Sequence, residues 1–141
     1  MNSLIRKKKH FYDQTRLHET NYALFSTLLG DLDKLDNGYQ LPLGEGSELR
    51  IHLLERHRYT LMISLQLTLP HLKPFNNDLS LEIRLYLDAG VAEVSHYQGH
   101  GRFAASCETP NQKGYHADEK QQANRMLQEA LRYCIKQQRQ N

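Results

Sequence analysis

Tryptophan is absent from the chain, and cysteine occurs only twice and proline four times in 141 residues. Cys107 and Cys134 are too few for the disulfide framework on which small secreted folds rely. No run of about 20 apolar residues occurs, so no membrane-spanning helix is expected. The opening MNSLIRKKKH has charge but no apolar stretch behind it and does not read as a cleavable secretory signal. Phosphate loops are missing too. Gly44-Glu45-Gly46 and Gly99-His100-Gly101 lack a third glycine and a Lys-Ser/Thr end, so both read as turns.

Metal-ligand spacing is equally scarce. His96 and His100 are four apart, with Cys107 and His116 further on, but Gly99 and Gly101 oppose the helix that would bring them together. They read as loop histidines, and neither a metal nor another cofactor is expected. Ser106-Cys107 stands outside any Gly-x-Ser-x-Gly setting, and His116 follows only after a loop. No residue is assigned as catalytic, and a non-enzymatic role is favoured. Cys134 reads as a small core residue.

What is present is a soluble composition: 39% hydrophobic, 24% charged, with a mean hydropathy of −0.71. At 16.5 kDa the chain suits one domain, expected to be cytoplasmic. The formal net charge of +2 is uneven. Arg6, Lys7, Lys8, Lys9 and Arg16 oppose Asp13 in the first sixteen residues, a balance of +4 that leaves −2 for the rest. A protein that tracks phosphates usually has a basic body, since each contact needs its own cation. The terminal cations therefore read as a solvated, flexible arm over 1–12, ahead of a single domain over 13–137 and a frayed tail over 138–141.

Periodicity supplies the architecture. Over 13–29, Leu17, Leu24 (or Ala23) and Leu28 recur at helical spacing, with Asp13 placed to cap the start and Gly30 to stop the end. Residues 30–47 are punctuation, with a short strand expected at 39–43. Leu49, Ile51 and Leu53 alternate with Arg50 and His52. From 59 to 69 every odd position is apolar: Tyr59, Leu61, Ile63, Leu65, Leu67 and Leu69. That period of two predicts a strand with one buried face, joined to its predecessor by a turn at 55–58. Leu79, Leu81, Ile83, Leu85 and Leu87 repeat the pattern, and Asp88-Ala89-Gly90 turns into a strand over 91–97. A short strand is expected at 102–107. The last helix, 118–137, carries Ala123, Met126, Leu127, Ala130, Leu131 and Cys134 as its stripe, with Asp118 and Gln121 resembling a capping box.

These elements predict an α+β two-layer sandwich: an antiparallel sheet of four to five strands with an N-terminal and a C-terminal helix packed on one face. The other face would display Arg50, His52, Thr60, Met62, Ser64, Gln66, Thr68, Glu82, Arg84 and Tyr86. Such a face is either solvated or used for a partner.

Several strings resemble the YqiB family of small proteobacterial proteins: ERHRYT at 55–60, RLYLDAGVAEV at 84–94, TPN at 109–111, DEKQQAN at 118–124, Asn21-Tyr22, and Cys134 near the end. The likeness runs over nearly the whole chain. It implies a bacterial cytoplasmic protein of a family without an established reaction, substrate or cofactor. Where the family pattern has a histidine after the RLY tyrosine, this chain has Leu87, so a role needing that histidine does not transfer.

Candidate binding residues fall into two groups. Arg84, Tyr86 and Asp88 share one strand face, with Glu93 across the turn. Two carboxylates beside an Arg and a Tyr suit a cationic group, a metal or a sugar hydroxyl, and paired carboxylates can do acid–base work if one is desolvated. The plainer reading is a cross-strand ion-pair ladder. Asp118, Glu119, Lys120 and Asn124 open the last helix, where the dipole alone favours acidic groups; a docking patch beside Pro110-Asn111 is the functional reading. Three hypotheses fit these residues. The first is an interaction or regulatory module that binds a protein partner, or itself, through the outer sheet face or the start of the last helix. The second is a small-ligand binder or hydrolytic enzyme using Asp88 and Glu93 in a pocket bounded by the 98–116 loop. The third, disfavoured, is weak nucleic-acid contact through Arg6, Lys7, Lys8 and Lys9.

Overall fold

The computed structural model describes residues 2–69, 78–99 and 116–140. The chain forms helix α1 (Asn2–Leu29), a single 3-10 turn (Leu32–Lys34), and strands β1 (Gly38–Gly44), β2 (Ser47–Arg56), β3 (Thr60–Thr68), β4 (Leu79–Tyr86) and β5 (Val91–Gly99). Helix α2 (His116–Gln140) follows. The strands make one antiparallel sheet in sequential order, and both helices pack on the same face. The expected two-layer α+β sandwich is the observed fold. The 102–107 strand and the Pro110-Asn111 turn lie outside the described residues.

Alternation places the core. Leu61, Ile63, Leu65 and Leu67 stand opposite Leu85, Ile83, Leu81 and Leu79, and all eight are buried. Ile51 and Leu49 extend these rows onto β2. A sheet with one dry face fixes register firmly, because a slip of one residue would turn every leucine to solvent. Phe25 and Leu28 of α1 close the layer, together with Ala123, Leu127, Ala130, Leu131 and Cys134 of α2. Burial pushes the Cys134 thiol up to about 12, so it stays protonated and inert. In a Cys107→Ser chain, Ellman's reagent is expected to find no reactive thiol in native buffer and one in guanidinium. A native-state signal would contradict the burial.

The elements depart from the sequence reading in particular places. Helix α1 begins at Asn2 and α2 at His116, so Asp13 and Asp118 lie inside helices rather than capping them; α2 also runs on to Gln140, through most of the expected tail. Gly30 does stop α1, at φ 81°, its N–H donating to the Ser26 carbonyl. Tyr59 is not the first inward residue of β3. It sits in the preceding turn and is half exposed at 50%, because pairing starts only at Thr60. Two β-bulges reverse the alternation. Leu54 is unpaired in β2, which leaves it exposed and sets Glu55 opposite Met62. Ser95 is unpaired in β5, which turns His96 towards Glu82 and Tyr97 towards the core row of Leu81.

Candidate functional site

The outer sheet face is uncovered by either helix, as the alternation requires. One part of it is a ladder of polar pairs. Gln40 donates to Glu48, Arg50 Nε lies 3.0 Å from the Glu48 carboxylate, and His96 Nδ1 is 3.3 Å from Glu82 Oε2. The first and last of these pairs cross between strands and the second runs along β2, all of them ordinary on a solvated face. Another part holds Met62, Arg84 and Tyr86. Arg84 donates to the Tyr86 hydroxyl at 3.5 Å and stands in register between Met62 and Glu93. The Tyr86 hydroxyl, followed by the Glu93 and Glu55 carboxylates, raises the affinity of Arg84 for its proton.

The four-residue series read along this strand does not stay together. β4 ends at Tyr86, so Asp88 leaves the strand and enters the turn, where its Oδ1 accepts from the Ala89 N–H at 3.0 Å. Glu93 faces Arg84 instead, and its charge also reaches His18 of α1. Burial lowers the His18 pKa, and Glu93 partly opposes that. The two carboxylates proposed as a pair therefore serve different surroundings.

The start of α2 is tied inward. The Tyr97 hydroxyl donates to Glu119 Oε2 at 2.9 Å, fastening the helix to β5. Asn124 is only 2% exposed. Its Oδ1 accepts from the Val94 N–H at 3.0 Å, its Nδ2 donates to the Lys120 carbonyl at 2.7 Å, and its own carbonyl accepts from Asn21 Nδ2 at 3.0 Å. β5 is an edge strand, and an outward N–H buried beneath a helix needs an acceptor. Asn124 supplies it and is unavailable to a docking partner. Lys120 is exposed.

A concave site lies instead at the end of the sheet where the β2–β3 and β4–β5 turns meet the end of α1. Gly30 stops the helix, and Asp31 Oδ1 accepts from the Asp33 N–H at 3.0 Å, shaping the 3-10 turn. Arg56 reaches back from β2 and donates to the Asp33 carbonyl at 3.1 Å and to the Leu35 carbonyl, clamping this connection. The two sheet turns are zipped together by the Leu87 N–H, which donates to the Tyr59 carbonyl at 2.8 Å. Gly90, at φ 68°, brings the second turn close under the Tyr22 ring. Between these segments is a cleft of about 660 Å³. Its walls are Tyr22 and Ser26 of α1, Asp31 and Asp33 of the connection, Arg58 and Tyr59 of one turn, and Leu87 and Asp88 of the other.

Its chemistry is definite. Three aspartates and one arginine line it, and the Arg58 guanidinium carbon lies 5.2 Å from the centre of the Tyr59 ring. Burial, then the charges of Asp33 and Asp31, pushes the Tyr22 phenol upward, so it remains a neutral hydroxyl. Carboxylates around aromatic faces suit an amine or guanidinium with an apolar stem. Of these walls, Asp88 alone is among the candidate binding residues read from the sequence. Asp31-x-Asp33 directly after a helix-stopping glycine is the available signal, within a stretch whose composition reads as punctuation. Among the described residues, no group of three His, Cys, Asp or Glu could hold a metal ion, and no helix is long and apolar enough to cross a membrane.

These features define a two-layer α+β domain with an open sheet face and an end cleft. The family model described as a protein of unknown function (DUF1249) matches residues 24–140. The chain is 35% identical over 127 residues to the Escherichia coli K12 protein called uncharacterized protein YqiB, covering 89% of this chain and 88% of that one. The O157:H7 counterpart matches equally. The chain belongs to this YqiB family. No solved structure matches it. Three of the strings that carried the resemblance, Asn21-Tyr22, ERHRYT and RLYLDAGVAEV, contribute walls to the cleft.

Proposed function

We propose that this protein is a cytoplasmic, non-enzymatic binding module that takes a cationic side chain of a partner polypeptide into the end cleft. The observation that carries the reading is the wall chemistry: Asp31, Asp33 and Asp88 against the guanidinium of Arg58, with Tyr22 and Tyr59 beside them. A lysine or arginine offers the charge for the carboxylates and a methylene stem for the rings. Half-exposed Tyr59 stands at the mouth, next in sequence to the β3 strand whose outer face carries Met62. Arginine and aromatic anchors of this kind dominate interface energetics. Acid–base catalysis by Asp88 and Glu93 is not favoured, because Glu93 is not a wall of the cleft. A free small amine is the second reading, supported by the same volume and charge.

Native mass spectrometry of the tagged chain, released gently from its bacterium, separates these readings. The expected result is an attached polypeptide that is absent from the Asp33→Lys/Asp88→Lys variant, with the melting temperature changed by no more than about 2 °C. An adduct of a few hundred daltons would replace the partner reading with the small-ligand one. A bare monomer, or a partner retained by the variant, would sink both.

A further inference from the structure

The slightly acidic average of the body conceals a surface of the opposite sign on the helical layer. Arg16 and Thr20 line one groove with Gln121, Arg125 and Glu129, and Leu24 and Thr27 line a second with Arg132, Ile135, Lys136 and Arg139, so α1 and α2 run parallel. The second groove measures about 450 Å³. Its floor is apolar, made by buried Ile135 and half-buried Leu24. Its rim is three exposed cations, Arg132, Lys136 and Arg139, and among the described residues no carboxylate lines it.

Spacings of four and three residues place those cations on one face of α2. The helix dipole accounts for a cation in the last turn, which is Arg139. Arg132 and Lys136 lie further back, and like charges four apart on a helix repel one another. An anionic occupant relieves that repulsion. We infer that this groove docks an acidic segment of a partner protein, its carboxylates meeting Arg132, Lys136 and Arg139 and one apolar side chain resting on Leu24 and Ile135.

Two observations choose a peptide over a nucleic acid. A phosphate backbone has no use for the apolar floor, and a strand following the whole helix seam would meet Glu129, which interrupts the cations in the neighbouring groove. From Arg132 to Arg139 the cations span only about 10 Å along the helix axis, the reach of a short segment. This groove shares helix α1 with the end cleft but none of its lining residues, and its charge is opposite.

The test is fluorescence anisotropy with a fluorescein-labelled peptide built of Asp, Glu and Leu. Three controls accompany it: the same peptide with Ser for Leu, its Lys-for-acid counterpart, and an oligo-dT strand. The acidic Leu peptide is expected to bind at least about tenfold more tightly than any control. Arg132→Glu/Lys136→Glu should weaken it by at least about tenfold at an unchanged melting temperature, and Leu24→Ser should weaken it without altering its salt dependence. Absence of binding, or equal binding of the Ser peptide, would overturn the proposal. Preference for oligo-dT would assign the groove to phosphates instead. Sedimentation showing self-association that charge reversal abolishes would assign it to the acidic end of a second copy.

Discussion

Phe25→Ala is expected to lower the free energy of unfolding by about 3–5 kcal/mol, the range found when a buried aromatic is truncated in a packed core. Phe25 is fully buried and is, among the described residues, the largest fully buried side chain that α1 contributes. Deleting its ring removes apolar burial and leaves a void that neighbouring leucines, held in register by the sheet, cannot close. A domain of this size has a total stability of about 5–15 kcal/mol, so the loss is a large share of it. Urea unfolding should show the midpoint fall with the slope retained. The change also reaches the cleft, since Tyr22 and Ser26 lie within a turn of Phe25 on the same helix. Phe25→Leu should retain most of the stability. A loss below about 1 kcal/mol for the alanine would mean that α1 is not seated as described.

Asn124→Ala should cost about 2–3 kcal/mol, although the side chain is small and polar and lies in the first half of α2. The alanine cannot accept from the Val94 N–H, which stays buried without a partner. An unmet buried donor forfeits its hydration outright, which outweighs the modest net gain of an average hydrogen bond. The bond from Asn21 Nδ2 survives, since it goes to the Asn124 backbone carbonyl. Asn124→Asp keeps the acceptor but loses the donor to Lys120 and buries a charge, so it should not rescue stability. Hydrogen exchange gives the specific readout: the Val94 amide should lose protection beyond its neighbours on β5. Uniform loss along the strand would point to general loosening instead.

Much of the fold was legible in the sequence. The leucine and isoleucine positions of β3 and β4 declare their buried face because a one-sided sheet forces a period of two, and no other element satisfies that pattern over eight residues. The stripe on α2 and the glycine that ends α1 are local in the same sense: helical spacing and a left-handed stop depend on residues within a turn or two. Position 59 shows the limit. Tyr59 continues the alternation by one residue, yet pairing begins at Thr60, because strand ends are set by the partner strand.

The candidate site was much less legible. Leu54 and Ser95 look like ordinary strand residues, but each is a bulge that reverses the face of the residues after it, and a bulge is decided by register against a neighbouring strand. Glu119 and Asn124 read as a polar helix start open to solvent. Only the packing of α2 on β5 turns them inward, to Tyr97 and to the Val94 N–H. Asp88 and Glu93, five residues apart, read as a pair in the sequence, whereas Asp31 and Asp88 are far apart and share a cleft. Spacing along the chain determined which residues are buried and in which kind of element, because desolvation acts on local periodicity. Which polar groups meet was decided by tertiary structure alone, since that depends on three distant turns being brought to one end of the sheet.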